Sequence, residues 1–168
     1  MTCIVGIAQK GKIWMGADTC ISFDTSFISL DDPKVFIKGD MICGVAGPLN
    51  FKQNIQYNTD LYCGLDEIQD IKAHIAMEIF PAIKELDGFR EAELLIGYED
   101  KLYEIFNNVF VCSATKNYAS IGSGSDYALG CLHNTRDCKD PEYRILRALE
   151  SAEQFCQGVK RPFNVLCM

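Results

Sequence analysis

The chain has 168 residues, of which 48% are hydrophobic, and a formal net charge of −7 at pH 7. A chain of this length can bury a large core, so we expect residues 1–168 to form a single domain. The negative charge argues against nucleic acid and anionic membranes as partners, because both attract clustered lysine and arginine. Disorder is excluded as well, because a hydrophobic composition with only five prolines is typical of globular proteins.

The nine cysteines are an odd set that lies mostly within apolar stretches. This pattern predicts reduced thiols in the core of a cytoplasmic protein rather than disulfides. No two cysteines have a CxxC spacing, and His74 and His133 lie far apart, so we expect neither a metal site nor a cofactor. We also expect no signal peptide and no transmembrane helix, because no charged leader and no sufficiently long apolar stretch is present.

The N-terminal strand begins with a threonine. Thr2 follows Met1 and opens an apolar run over residues 2–8. If Met1 is removed, Thr2 carries both a hydroxyl nucleophile and an α-amine whose reference pKa is about 7.7 to 8.0, well below that of lysine. One residue then supplies nucleophile and general base. Threonine is also common at the start of ordinary strands, so its position alone leaves both interpretations open.

Two hairpins follow, and their turns set the pairing register. A tight turn over residues 9–12 pairs positions that sum to about 21, which predicts that Asp18 lies opposite Cys3, beside Thr2. The second hairpin predicts strands over residues 34–38 and 41–47, with pairs that sum to about 79. Lys34 then lies opposite Val45, close to Gly47.

The remaining elements alternate between helices and strands. An apolar face with an acidic first turn predicts a long helix over residues 65–86, kinked by Pro81. The other predicted elements are strands over 92–98, 101–106, 109–113 and 118–121, helices over 125–134 and 141–158, and a final strand over 163–168. Strands that are apolar on successive residues predict stacked sheets with helices outside.

Five short motifs carry a resemblance to a known family. They are Thr2, Gly16-Ala17-Asp18, Pro33-Lys34-Val35, Gly44-Val45-Ala46-Gly47 and Ile121-Gly122-Ser123-Gly124-Ser125-Asp126-Tyr127-Ala128. Over nearly the whole chain, their order resembles that of proteasome β-subunits and the bacterial HslV peptidase. The resemblance implies an α+β fold, the four-layer αββα sandwich of the N-terminal nucleophile (Ntn) hydrolases.

The resemblance also implies a role for each candidate residue. Thr2 is the expected nucleophile and its own amine the base. Lys34 would lower the pKa of both groups through its charge, and Asp18 would hold Lys34 in place. The Gly47 N–H, with Gly44 as second choice, would bind the oxyanion. A lysine at an exposed strand end, an acid that caps a turn and a simple glycine turn are the alternative interpretations.

The serine-containing loop before the predicted helix 125–134 is the candidate partner of the terminal amine. By resemblance, Ser123 would hydrogen-bond that amine, with Ser125 as a lesser partner. A helix cap and a phosphate-binding loop are the alternatives. A phosphate-binding loop has little support, because the segment contains neither the lysine of a P-loop nor the third glycine of a dinucleotide fingerprint. A helix cap is compatible with catalysis.

The chain departs from the family pattern at one place. The family commonly has an Asp, and in proteasomes also a Ser, after the penultimate helix to complete the network of the amine. Residues 156–162 of this chain, CQGVKRP, contain no clear equivalent. This departure makes a catalytically inactive scaffold or binding ring the first alternative to an enzyme, and an Ntn amidase acting on a small molecule is the second.

The function that the resemblance implies is a cytoplasmic threonine endopeptidase, active only after loss of Met1. Its expected partners are further copies of itself in a closed ring, a peptide or unfolded protein as substrate, and an ATP-dependent unfoldase. Thr19, Cys20 and Val45 are expected near the pocket for the residue preceding the scissile bond. Their size predicts tolerance of apolar side chains.

Overall fold

The fold is built on antiparallel sheets, as seen in a computed structural model that describes residues 1–23, 26–29, 31–57, 70–106 and 110–168. One sheet has the strand order β10-β1-β2-β11, a second has the order β5-β6-β7-β8-β9, and β3 and β4 form a separate hairpin. The strands are β1 (Ile4–Gln9), β2 (Lys12–Asp18), β3 (Cys20–Phe23), β4 (Ser26–Ser29), β5 (Val35–Lys38), β6 (Met41–Ala46), β7 (Glu93–Tyr98), β8 (Lys101–Phe106), β9 (Phe110–Ser113), β10 (Tyr118–Ile121) and β11 (Phe163–Cys167).

The helices cover the outer faces of the two sheets. They are α1 (Leu49–Tyr57), α2 (Ile71–His74), α3 (Phe80–Ile83), α4 (Ser125–Asn134) and α5 (Pro141–Phe155), with a π-helical turn (Ile75–Ile79) between α2 and α3. Helices α1 to α3 pack on the five-stranded sheet, whereas α4 and α5 pack on the four-stranded one. None of the helices in the described part of the chain has the length and apolar character that a membrane span needs.

Strand β1 is buried on both faces because it lies in an inner layer. Ile4 packs against Val35 and Leu95 between the two sheets, and Val5 packs against the α4–α5 side. Burial of both faces explains the unbroken apolar run in the sequence. The predicted stacking of two sheets between outer helices is confirmed.

Both predicted registers are confirmed. In the first hairpin Ile4 pairs with Ala17, and the Asp18 N–H donates to the Cys3 carbonyl at 3.4 Å. In the second hairpin Val35 pairs with Gly44. The Val45 N–H donates to the Lys34 carbonyl at 3.1 Å. The two hairpins therefore bring their candidate residues to strand ends on adjoining sheets.

The structure differs from the sequence prediction in two of its helical segments and in one hairpin. Helix α1 and the β3–β4 hairpin are not predicted. The described part of the predicted helix 65–86 begins at Ile71, where the Asp70 side chain accepts from the Ala73 N–H and caps it; residues 65–69 lie outside the described part. Where the sequence predicts a kink at Pro81, a π-helical turn precedes it, because proline has no N–H to complete regular α-helical bonding.

The other predicted elements agree within a few residues. Strands β7, β8 and β10 and helix α4 match their predicted ranges, and residue 109 of the predicted strand 109–113 lies outside the described part. Helix α5 ends at Phe155 rather than at residue 158. Cys156 leaves the helix with extended backbone angles, φ −112° and ψ 115°.

Candidate active site

The side chain of Lys34 joins two of the candidate residues. Its Nζ donates to Thr2 Oγ1 at 2.9 Å and to Asp18 Oδ2 at 2.8 Å. A third bond of 2.6 Å goes to the backbone carbonyl of Cys20. An ammonium has three donors, so Lys34 is fully satisfied and held in one position. Its side chain is only 7% exposed, so an exposed strand-end lysine is the wrong interpretation.

Asp18 is buried at the base of this arrangement. Its Oδ1 accepts from the Cys3 N–H at 2.9 Å, and its Oδ2 pairs with Lys34. Burial raises the pKa of the Asp18 carboxyl, whereas the charge of Lys34 and the backbone N–H groups of Cys3 and Cys20 act against this rise. The carboxylate therefore depends on Lys34 for its charge, and Lys34 depends on the carboxylate for its position.

Met1 blocks the amine of Thr2 in this structure. The Thr2 nitrogen is an amide that donates to Ser123 Oγ at 3.1 Å, and Thr2 Oγ1 donates to the Met1 carbonyl at 2.8 Å. An amide nitrogen has no free lone pair and cannot act as a base. Removal of Met1 would turn it into an amine in the same place and free the hydroxyl.

Of the two candidate serines, Ser123 contacts Thr2. Besides accepting from the Thr2 N–H, its hydroxyl donates to the Thr2 carbonyl at 3.2 Å. Ser125 begins helix α4, and its N–H donates to the Gly122 carbonyl at 3.0 Å. Among the described residues, Ser123 but not Ser125 lines a cavity beside Thr2.

The position after α5 is occupied by a cysteine. The Cys156 thiol donates to Ser123 Oγ at 3.7 Å and is 8% exposed. It therefore contacts the group that binds the Thr2 nitrogen. Cys156 is the first residue of the stretch 156–162, in which the sequence contains no clear equivalent of the family's Asp.

Gly47 follows strand β6 and borders both cavities beside Thr2. Its φ of 151° is disfavoured for other residues, and an added Cβ would lie 2.8 Å from Ala92 Cα. Gly44 lies elsewhere, inside β6, where it packs against Ile4 and Met15 between the sheets. The geometry therefore favours Gly47 over Gly44 as a donor beside Thr2.

Two cavities share Met1, Thr2, Gly47 and Pro48 in their linings. One, of about 440 Å³, is lined by Ser123, Gly122, Ala46 and two acidic residues, Glu91 and Glu93. The other, of about 340 Å³, has these lining residues: Met1, Thr2, Cys20, Ile21, Lys34, Val45, Gly47, Pro48, Leu49 and Lys52. Thr2 thus lies at the junction of two clefts. This arrangement can accommodate an extended ligand on both sides of the Thr2 hydroxyl.

Sequence reasoning missed several residues that build the site. Cys20 was expected near the substrate pocket, but its carbonyl was not expected to accept from Lys34, because a backbone acceptor in an unpredicted strand has no sequence signal. The Gly122 N–H donates to Glu93 Oε2 at 2.6 Å, and an added Cβ at Gly122, where φ is 88°, would overlap the Thr2 carbonyl. Lys52 lies on the unpredicted helix α1.

Cys3 is the nearest competing nucleophile in sequence. Burial raises the pKa of its thiol to about 12, so the reactive thiolate is absent near neutral pH. Within the described ranges, no group of three or more His, Cys, Asp or Glu side chains is arranged to hold a metal ion.

No protein-family model and no curated protein sequence matches the chain. Solved structures do. BPH from Thiobacillus denitrificans, in complex with epoxomicin, is 22% identical with a TM-score of 0.78, and the match covers 99% of this chain and 98% of that one. HslV from Trypanosoma brucei is 16% identical with a TM-score of 0.69, covering 99% and 98%. Anbu, an ancestral β-subunit from Yersinia bercovieri, is 15% identical with a TM-score of 0.74, covering 99% and 81%.

These matches extend over the whole chain at low sequence identity. They agree with the order of layers described above, in which two sheets lie between outer helices. The resemblance to proteasome-type subunits is thus confirmed at the level of the fold. The chain has the four-layer αββα fold of the proteasome-like Ntn hydrolases.

Proposed function

We propose that this chain is a threonine-type endopeptidase whose nucleophile is Thr2 after removal of Met1. The observation that carries the proposal is the bridge that Lys34 makes between Thr2 Oγ1 and Asp18 Oδ2, at 2.9 and 2.8 Å. A fully bonded ammonium against a hydroxyl stabilises negative charge on that oxygen. This is the electrostatic condition that a hydroxyl nucleophile needs.

The first step would be acylation of Thr2. Its hydroxyl oxygen attacks the carbonyl carbon of a peptide bond, and the hydroxyl proton moves to the free α-amine. The resulting oxyanion accepts from the Gly47 N–H, which borders both clefts. When the carbon–nitrogen bond breaks, the leaving amine takes the proton from the α-ammonium, and an ester on Thr2 remains.

Water would then hydrolyse the ester. The α-amine takes a proton from the attacking water, the oxyanion forms again beside Gly47, and the same proton returns to Thr2 Oγ1 as the ester bond breaks. The products are a carboxylic acid and a regenerated threonine. Ser123, whose hydroxyl lies 3.1 Å from the Thr2 nitrogen, would orient the amine in both steps.

We further propose that the protein acts in the cytoplasm as one domain per chain within a closed homo-oligomeric ring. An ATP-dependent unfoldase would supply unfolded protein to it. Self-assembly has support on the outer surface, where the exposed rings of Tyr127 and Phe155 contact each other in a tilted arrangement with their centroids 5.6 Å apart. Exposed aromatic pairs are typical of surfaces that bind another protein. Sedimentation velocity tests this part, because a monomer would contradict it and would favour a small-molecule amidase.

A catalytically inactive scaffold is the second candidate function, and one observation favours it. Ser123 is contacted by the Cys156 thiol, and residues 156–162, CQGVKRP, contain no carboxylate that could complete the amine network that the resemblance implies. Without such a carboxylate, the amine has one fewer group to orient it as a base. The same fold would then only assemble and bind.

The two candidates are separated by comparing three forms of the protein. One begins with Thr2, one retains Met1, and one carries Thr2→Ala in the processed form. Each is incubated with a panel of fluorogenic peptides. The endopeptidase predicts turnover by the first form alone. No turnover by any form, in its assembled state, would overturn the proposal in favour of the scaffold.

A further inference from the structure

The cavity on the Lys34 side of Thr2 has an unusual distribution of charge. Its lining contains two lysines, Lys34 and Lys52, and no acidic side chain among the described residues. Each lysine has a carboxylate partner, Asp18 and Asp32 respectively. Neither aspartate belongs to the lining. The positive end of each ion pair is therefore nearer the cavity than the negative end.

Lys52 is the lysine of this lining that has no role in the proposed reaction. It lies on helix α1, its side chain is 3% exposed, and its ion-pair partner Asp32 is 34% exposed. Apart from that ion pair, its Nζ has no hydrogen-bond partner among the described residues. Asp32 offsets the charge of this buried ammonium, but the ammonium has three donors and no hydrogen-bond acceptor among the described residues besides that ion pair.

The chemistry of the proposed reaction assigns the cavity to one side of the substrate. The α-amine, held by Ser123, passes its proton to the leaving amine, so the leaving fragment lies in the cleft lined by Ser123. We therefore assign the acyl fragment to the second cavity that Thr2 and Gly47 line. The side chain of the residue that precedes the scissile bond therefore enters the cavity of about 340 Å³ that contains Lys52.

The walls of that cavity are apolar. Ile21, Val45 and Leu49 line it together with the lysines. Apolar walls suit the methylene groups of a side chain, and a positive potential suits a negative tip. In a partly desolvated cavity such a potential is screened less than at the surface.

We propose that this cavity selects a glutamate residue immediately before the scissile bond, with Lys52 as the specificity-determining residue. The assignment of the cavity rests on the proposed peptidase function. The preference itself rests on the charges of the lining, and it extends the predicted tolerance of apolar side chains to one with an acidic end. Lys52 acts here through its charge and takes no part in bond breaking.

Binding tests the preference without turnover. The processed Thr2→Ala protein is titrated with labelled peptides that differ only in the residue before the scissile bond, which is Glu, Gln, Leu or Lys. Fluorescence anisotropy reports the dissociation constants. We expect the Glu peptide to bind about 10-fold more tightly than the uncharged Gln peptide of the same shape, with Lys binding weakest. The preference should fall as ionic strength rises.

Substitutions then test whether Lys52 is responsible. Lys52→Met keeps the length of the side chain and removes its charge, so the Glu and Gln peptides should bind alike. Asp32→Asn removes the compensating carboxylate and should increase the preference for Glu. Lys84→Met, at an exposed lysine outside the cavity, is the matched control and should change nothing.

The outcomes separate this inference from the proposed function. Equal binding of the Glu and Gln peptides, absence of binding, or a preference that persists in Lys52→Met would overturn the inference. A Glu preference in Thr2→Ala without turnover by the threonine form would overturn the peptidase, and with it the assignment of the cavity to the residue before a scissile bond, but would leave the charge preference of the cavity in place. Turnover without regard to the preceding residue would overturn the pocket assignment alone.

Discussion

The ammonium of Lys34 donates to the hydroxyl oxygen of Thr2 at 2.9 Å, although the two residues are 32 positions apart in the chain. Thr2 precedes β1 of the four-stranded sheet, and Lys34 precedes β5 of the five-stranded sheet. Packing of one sheet on the other is therefore what assembles the site. Residues such as Ile4 and Val35, which fill the space between the sheets, hold the two side chains at this distance.

The pairing of Lys34 with Asp18 makes a prediction that separates stability from activity. Lys34→Met leaves the buried Asp18 carboxyl without its partner, which costs about 3–5 kcal/mol of unfolding free energy. It also removes the charge beside Thr2, so kcat/KM should fall about 100- to 1000-fold. Urea unfolding and peptide hydrolysis measure the two effects.

The double variant Lys34→Met with Asp18→Asn is the control for this experiment. Because both charges are gone, most of the lost stability should return, whereas the activity should not. Recovery of activity along with stability would mean that Lys34 matters only for the fold.

Gly47 provides a test of oxyanion stabilisation. Gly47→Ala introduces a Cβ that would lie 2.8 Å from Ala92 Cα at a φ of 151°, so the backbone must move. We expect kcat to fall about 100-fold or more while KM changes little, because the displaced N–H acts only in the transition state. Steady-state kinetics with one fluorogenic peptide measures both constants.

Gly39→Ala is the matched control for Gly47→Ala. Gly39 also has a positive φ, 56°, but no heavy atom of the described residues lies within 4 Å of the position of its added Cβ. The variant should lose about 1 kcal/mol of stability and keep full activity. Equal kcat values for the two variants would contradict a specific role of Gly47.

Met1 packs against Gly158, and this contact predicts an effect that depends on processing. An added Cβ at Gly158 would overlap the Met1 side chain. Gly158→Ala should therefore destabilise the Met1-containing protein by about 1–3 kcal/mol and leave the processed protein nearly unchanged. Thermal unfolding of the two forms, with and without the substitution, gives the four values needed. Equal losses in both forms would show that Met1 does not occupy this place.

Ser123 predicts a change in the pH dependence of the processed enzyme. The Ser123 hydroxyl accepts from the Thr2 nitrogen at 3.1 Å, and such a bond favours the charged form of an amine. Removing it in Ser123→Ala should lower the pKa of the α-amine, so the acid limb of kcat/KM should move to lower pH. The maximal rate should fall about 10-fold because the amine is less well oriented. A pH–rate profile that keeps its position would argue against this contact in the active form.

The registers of the two hairpins were predictable because short turns fix strand pairing. The turn over residues 9–12 put Asp18 beside Cys3, and the Gly39–Asp40 turn put Lys34 opposite Val45, as the structure has them. The geometry of the two turns was therefore enough to predict where Asp18 and Lys34 lie within their own hairpins. That the two halves meet came from the resemblance, because sheet-on-sheet packing has no local signal.

Helix α1 and its Lys52 were not predictable in the same way. The α1 segment, LNFKQNIQY, contains asparagines and polar residues that weaken any helical pattern. The pairing of Lys52 with Asp32 depends on how α1 packs, which the sequence does not reveal. The contact of Cys156 with Ser123 is a further tertiary feature, since it depends on where α5 ends.

In the proposed mechanism, Thr2 carries both the nucleophile and the base once Met1 is gone. An epoxyketone such as epoxomicin offers two electrophilic carbons, so a residue with a hydroxyl and a free amine can bond to both. The decisive measurement is the intact mass of the processed and Met1-containing proteins after incubation with this probe, followed by peptide mapping. We expect one added probe per chain on Thr2 of the processed protein and none on the Met1-containing protein. An unmodified processed protein, or modification at another residue, would contradict it.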